Sequence, residues 1–455
     1  LSFADSNSDG LGDLPGLIQH LDYVKDLGVD AIWLSPVFQS PMKDFGYDVS
    51  DHCSIDPVFG SMADFEDLVE QCHRRSLRLL IDLVLNHTSD QHSWFQESRK
   101  SKDNLKSDYY VWCDPKTDGT PPNNWMSVFG GSAWQWEPRR GQYYLHNFLK
   151  SQPDLNFHNL QVQDELLSVV DFWLKKNVDG LRLDVCNFYF HDRSLKDNPP
   201  RPENARPTQG AFALSPYNYQ LHIYDKDQPE TLHFHHRLRK LCDSAGDKFL
   251  MGEMVSDKPL QMISCYSDQG QPLHSSYHFG FLQSDWSPKQ VQSQVEEFFD
   301  STTEAHPTWC FSNHDAQRVL TRWGKHLLKD TDPASKWDRL ALSFLALNLF
   351  LPGVSVIYQG EELGLTQAKL ARCDLQDPFG IEFYPEFQGR DGCRTPLPWS
   401  DEPPKKSWLP IPQEHLNRSV ALQSKNDNSL LRYFQRLVAC YRQFAFDDQL
   451  KWGDV

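Results

Sequence analysis

The stretch Val178-Asp-Gly-Leu-Arg-Leu-Asp184-Val-Cys-Asn limits what this chain can fold into more than any other. Apolar residues alternate with Arg182 and Asp184 after a glycine, which predicts a short buried strand with a guanidinium and a carboxylate at its C-terminal tip. Charges are not placed in a hydrophobic strand cheaply, so the strand must end where they meet partners or a polar cleft. Arg182 is expected to hold Asp184 ionised, the state a carboxylate nucleophile needs. A structural ion pair closing a strand end would use the same two residues, and this stretch alone does not separate the readings.

Other strand-like runs end the same way. They cover 28–36, 77–87, 248–253, 274–282, 308–315 and 353–361, and with 178–187 they number seven. Helical apolar spacing marks 14–27, 62–75, 162–176, a segment ending near 245, 333–351 and 429–446. Helices alternating with strands imply a parallel sheet. Seven strands predict an α/β fold, a (β/α)8 TIM barrel short of one strand, which the family resemblance given below implies is the first. A doubly wound sheet is the competing fold, but no GxGxxG or Walker sequence follows any strand.

From 88 to 157 the period is lost. Unstructured loops beyond about 15 residues are uncommon unless functional, so this stretch is expected to be an excursion or small subdomain inserted after a strand, the third of the barrel on the family resemblance given below. The expected division is therefore 1–87 and 158–446 for the two parts of the barrel and 88–157 for the insertion. Residues 447–455 would, on the family resemblance given below, begin a truncated C-terminal β-sandwich domain.

The balance of 45 basic against 62 acidic residues, a net charge of −17, argues against nucleic acid or an anionic membrane as partner. No apolar run reaches the roughly 18 residues of a membrane span. Ten cysteines without a CxxC pair suggest free thiols in a reducing cytoplasm, and an N-terminus without Met or a signal-like pattern suggests a fragment. Near that end, Asp5, Asn7, Asp9 and Asp13 alternate with the Leu11 carbonyl in a Gly-bearing loop, the pattern that wraps a hard cation, Ca²⁺ or Mg²⁺ in a structural role.

Polar residues at the C-terminal strand ends of such a barrel converge on one face. The candidates are Asp184 with Arg182, Glu253, His314 with Asp315, and His87 with Asp82 deeper in the sheet. Without HExxH or a Cys/His cluster, they point to carboxylate chemistry. Glycoside hydrolysis needs one ionised and one protonated carboxyl group. Asp184 beside Arg182 suits the anion, and Glu253 between Met251 and Met254 suits the acid.

Four ordered motifs carry a resemblance: Asp82-Leu-Val-Leu-Asn-His87, Gly180-Leu-Arg-Leu-Asp184, Gly252-Glu253 and Phe311-Ser-Asn-His-Asp315. Asp44-Phe-Gly-Tyr47, Gln152-Pro-Asp-Leu-Asn156 and Gly389-Arg390-Asp-Gly-Cys-Arg394 add to it. The chain resembles the alpha-amylase superfamily, glycoside hydrolase family 13, in its bacterial alpha-glucosidase and oligo-1,6-glucosidase branch. That resemblance implies a retaining double displacement with Asp184 as nucleophile, Glu253 as acid/base and Asp315 on the sugar hydroxyls. It implies a terminal-glucose pocket lined by Asp44, Tyr47, His87, Phe148, Arg182 and His314, shut by Arg390 or Arg394 pairing with Asp44. It also implies a structural metal, no organic cofactor, small alpha-glucosides such as maltose, isomaltose or sucrose as partners, and a monomer or homodimer.

Val185 resembles the α-1,6-preferring enzymes, whereas 187–192 resembles enzymes acting on maltose-type substrates, so the linkage stays open. The alternatives are a non-catalytic amylase-like scaffold of the amino-acid-transporter heavy-chain type and a sucrose isomerase or trehalose-forming mutase. The scaffold is disfavoured because Asp184, Glu253 and Asp315 are all present.

Overall fold

The computed structural model describes residues 1–206, 215–283, 285–301 and 304–444. Seven strands form one parallel sheet and pair in chain order: β1 (Ala31–Leu34), β2 (Arg78–Leu83), β3 (Gly180–Leu183), β4 (Phe249–Met254), β5 (Ser275–His278), β6 (Pro307–Cys310) and β7 (Val354–Val356). These are the seven runs read from the sequence; β4 is as long as its run and lies one residue later, and the other six are shorter than theirs. The register sets Asp82 beside Arg182 and Glu253 beside Tyr277, so polar side chains of neighbouring strands share one level of the interior.

The helices between the strands follow from local chemistry. α1 (Met62–Arg74) begins at a capping box in which Ser61 and Asp64 satisfy each other's backbone N–H groups. Its Phe65, Leu68, Val69 and Cys72 recur at helical spacing and are buried. Asn159 caps α2 (Leu160–Lys175) by accepting from Gln161 N. α3 (Glu230–Ser244), α4 (Pro259–Ser267), α5 (Pro288–Ser301), α6 (Ala334–Phe350) and α7 (Leu430–Phe444) complete the outer layer.

Three differences from the sequence reading have physical causes. The 14–27 pattern is two short helices, Leu14–Gln19 and Leu21–Asp26, because His20 leaves helical geometry at φ −112° and ψ 13°. α4 and α5 were not anticipated, although Val291, Val295 and Phe298 of α5 carry a readable spacing and are buried. The segment 362–426, read as loop, contains the short helices Pro378–Glu382, Gln413–Leu416 and Val420–Ser424.

The curled sheet stops short of closure. Among the described residues β1 and β7 do not pair with each other, and both are only partly buried, whereas β3 and β6 are buried throughout. A barrel of this type needs eight strands to close, so seven leave two edges.

After β2 the chain departs into a three-stranded antiparallel sheet made of Trp112–Cys113, Gln142–Leu145 and Trp134–Glu137. It has a small core of its own around Val111, Trp125, Ala133, Trp134 and Leu145. An isolated bridge from His87 to Asp154 ties it back to the chain just after β2, and one from Tyr110 to Leu155 joins two parts of the excursion. Residues 447–455 lie outside the described residues.

Candidate active site

Arg182 projects from β3 into the sheet interior and is fully buried. Its Nη1 donates to Asp82 Oδ1 at 2.9 Å and to Asp184 Oδ1 at 2.6 Å. Its Nη2 donates to Tyr277 OH at 2.6 Å and pairs with Glu253 Oε2 at 2.7 Å. One guanidinium, lying 4.9 Å from the Trp33 ring centre, therefore serves three carboxylates. The spacing is set by β2, β3 and β4 lying side by side in register.

Burial disfavours charge on all three acids. It pushes Asp184 up to about 7 despite the attraction of Arg182, with repulsion from Asp82 adding to the rise. It likewise raises Glu253 to about 7, against Arg182 and with Asp184 and Asp315 repelling, and Asp82 to about 6. This corrects the expectation that Arg182 simply fixes Asp184 as an anion. The cation is divided among three acids, so Asp184 and Glu253 sit in the range where a pair exchanges protons near neutrality. Glu253 also accepts from Tyr277 OH at 3.0 Å and from Val185 N at 3.1 Å. Val185 reaches it at φ +36°, a left-handed conformation that a β-branched side chain resists.

A second cluster forms the rim. Arg390 Nη2 donates to Asp44 Oδ1 at 2.8 Å, and its Nη1 donates to Asp315 Oδ1 at 3.0 Å. Arg394 donates through Nη2 to the same Asp315 oxygen at 3.0 Å and through Nε to the His314 carbonyl at 2.7 Å. Of the two arginines offered by the sequence, Arg390 is thus the one that meets Asp44. Burial alone would raise Asp315, but His314, Arg390 and Arg394 outweigh it and hold its carboxyl well below the usual range. Side-chain exposure rises from 3% at Glu253 to 9% at Asp184 and 25% at Asp315, which gives the site its depth.

The remaining predicted residues join these clusters. Tyr47 OH donates to Asp82 Oδ2 at 2.9 Å and lies 2.7 Å from His314 Nε2, with the two rings stacked. His87 is buried, its Nε2 3.2 Å from the Tyr47 carbonyl, and burial lowers it to about 3, so it stands neutral at pH 7. Phe148 packs between His87 and Phe188. Sequence reasoning gave no role to Tyr277, Gln152 or Asp377. Gln152 donates to Asp44 Oδ2 at 3.1 Å, and it lies in a motif already singled out. A cavity of about 620 Å³ lined by His52, His92 and Trp94 lies apart from both clusters.

The N-terminal loop is curled by its own side chains. Asp5 accepts from Asn7, Ser8 and Gly10 N, Asn7 from Asp9 N, and Asp9 from Leu11 N. Asp13 caps the helix Leu14–Gln19 and accepts from Ser6 Oγ at 2.7 Å. Among the described residues no three His, Cys, Asp or Glu side chains gather as a metal site. The carboxylates fit a cation only in a mixed set with Asn7 Oδ1, the Leu11 carbonyl and water.

With this geometry in place, comparison with known proteins is direct. A profile described as "Alpha amylase, catalytic domain" matches residues 1–448. A probable alpha-glucosidase of Rhizobium meliloti (strain 1021) is 50% identical over 445 residues, spanning 96% of this chain and 80% of that protein. The crystal structure of the alpha-glucosyl transfer enzyme XgtA is similar at a TM-score of 0.93 and 50% identity, over 97% of this chain and 82% of that one. The trehalulose synthase MutB from Pseudomonas mesoacidophila MX-45 follows at a TM-score of 0.86 and 29% identity, over 100% and 83%. With a match along nearly all of its length and the carboxylates of the four motifs gathered on one face, the chain belongs to the alpha-amylase family, glycoside hydrolase family 13.

Proposed function

We propose that this chain is a retaining, exo-acting α-glucosidase that removes terminal non-reducing α-linked glucose from disaccharides and short oligosaccharides. The observation that carries the reading is that Asp184 and Glu253 are held by the two ends of one guanidinium. Such sharing suits the short spacing, about 5 to 5.5 Å, of retaining enzymes better than the wider gap that an inverting enzyme fills with water. Asp184 forms a bond to the anomeric carbon as the bond to the leaving oxygen breaks, and Glu253 gives that oxygen its proton. Glu253 then takes a proton from water, whose oxygen displaces Asp184. Asp315, kept anionic, accepts from the sugar hydroxyls, while Tyr47, His87, Phe148 and His314 line the pocket. The Arg390–Asp44 pair shuts the far end, which admits a chain terminus and refuses a mid-chain segment.

A second reading, glucosyl transfer or isomerisation, is favoured by one feature. Phe129, Phe148 and Phe379 form an aromatic wall at the rim on which an acceptor sugar can stack in place of water. The ten cysteines form no disulfide, which fits a cytoplasmic enzyme, and no described helix is long and apolar enough to cross a membrane. We read 88–157 as a subdomain and the loop of Asp5, Asn7, Asp9, Leu11 and Asp13 as a structural Ca²⁺ or Mg²⁺ site, for which a chelator should lower the thermal midpoint.

The test of the main reading is hydrolysis of paired 4-nitrophenyl α- and β-glucosides, with the released anomer followed by NMR. The α-glucoside should be cleaved to α-glucose first and the β-glucoside should be inert. Cleavage of the β-anomer, or β-glucose as first product, would overturn it. Rates on maltose, isomaltose, sucrose and trehalose then rank the linkages.

A further inference from the structure

Asp377 belongs to none of the motifs that mark the family in this chain, yet it is fully buried beside the rim. Its most economical explanation is local. Asp-Pro opens the five-residue helix Pro378–Glu382, and Asp377 Oδ1 accepts from Phe379 N at 3.2 Å as an N-cap. A cap uses one oxygen and leaves the other to water or to a neighbour.

Here the rest of the carboxylate is committed to Arg390. Oδ1 also accepts from Arg390 Nη2 at 2.8 Å, and Oδ2 accepts from Arg390 Nε at 3.1 Å and from its backbone N at 2.7 Å. The bidentate pair fixes the Nε/Nη2 edge of the guanidinium, and so fixes its plane. The donors left over are those that reach Asp44 and Asp315. Two surrounding features hold this arrangement. Asp391 Oδ2 accepts from Asp377 N at 2.8 Å, which anchors the carboxylate's own backbone. Gly389 turns at φ +72°, and a Cβ there would stand 2.5 Å from Asp377 Oδ2, so only glycine lets Arg390 N close on the acid.

We infer that Asp377 is a positioning residue for sugar binding: it aims Arg390 at Asp44 and Asp315 and so sets the closed end of the glucose pocket. This rests on the α-glucosidase reading and deepens it. A carboxylate that only capped the helix would affect stability alone, whereas an aiming carboxylate acts on the sugar through Arg390 and on nothing else in the pocket.

The experiment is a double-mutant cycle on 4-nitrophenyl α-glucoside with the parent, Asp377→Asn, Arg390→Ala and the double variant. Asn keeps a cap and removes the charge-assisted clamp. Asp377→Asn should raise KM about tenfold with kcat held within about threefold, and in the Arg390→Ala background it should change kcat/KM by less than about twofold. An unchanged KM, or equal losses in both backgrounds, overturns the inference. A second measurement needs neither turnover nor the Asp377 variant. The parent should show a slowly exchanging guanidinium Nε–H resonance that vanishes in Arg390→Lys, and its absence from the parent overturns the inference. A parent without α-glucosidase activity would sink the functional reading alone, and the resonance would still decide whether Arg390 is held by its Nε edge.

Discussion

The interior and the rim of this site are built from the same parts and behave in opposite ways. Each places one arginine among three carboxylates: Arg182 with Asp82, Asp184 and Glu253, and Arg390 with Asp44, Asp315 and Asp377. In the interior the acids rise to about 6 or 7, led by burial. At the rim, Asp315 and Asp377 fall below their usual range although burial opposes it. The difference is charge balance. Arg394 and His314 reinforce Arg390, whereas Arg182 stands alone with two phenols for company. A salt bridge therefore does not by itself say whether an acid is ionised; the ratio of cations to acids under a given burial does. The under-compensated cluster suits proton transfer near neutral pH, and the compensated one suits permanent acceptors for hydroxyl groups.

The contrast can be broken most sharply at Asp184. Asp184→Asn should lower kcat by about 10,000-fold or more, because in the proposed mechanism Asp184 is the group that forms the covalent intermediate. Its thermal midpoint should hold or rise, since it removes a buried acid that resists ionisation. A variant as active as the parent would move the chemistry away from Arg182.

Removing each arginine tests the balance itself. Arg182→Ala should cost about 3 to 5 kcal/mol of stability by urea titration, because it strands three buried acids. Arg390→Ala should cost less, about 1 to 3 kcal/mol, because Arg394 and His314 remain. Equal losses would mean that the two clusters are not differently compensated.

The finest test is pH. In the proposed mechanism Asp184 acts ionised and Glu253 protonated, so kcat/KM should fall on both sides of neutrality. Asp82 repels Asp184 and raises it. Asp82→Asn should therefore let Asp184 ionise at lower pH and move the acid limb down by up to about one unit. An acid limb that stays put would show that Asp82 only props up Arg182.

Much of this was legible before any coordinates. The seven strand runs could be read because a strand buried on both faces is almost continuously apolar, and a polar residue at its end stands out. Arg182, Asp184, Glu253 and Asp315 were found on that signal. Tyr277 was not, because the run 274–282 opens on the polar His274, Ser275 and Ser276 and has no polar residue at its far end, although Ser275 and Tyr277 alternate as strand residues do. Asp377 was missed because it lies in 362–426, read as loop, where an Asp before a Pro does not stand out. Helix α4 was missed because its apolar residues do not fall on one stripe.

The order of strands and helices, the chemical type of each strand-end residue and the alternating oxygens of the N-terminal loop were all decided locally, by period and side-chain chemistry along the chain. Which acids share which arginine was decided only when β2, β3 and β4 came into register and residues 377–390 closed against Asp44. Ionisation went the same way, because it depends on burial and on charges from strands about 70 to 170 residues apart, and short-range sequence carries neither.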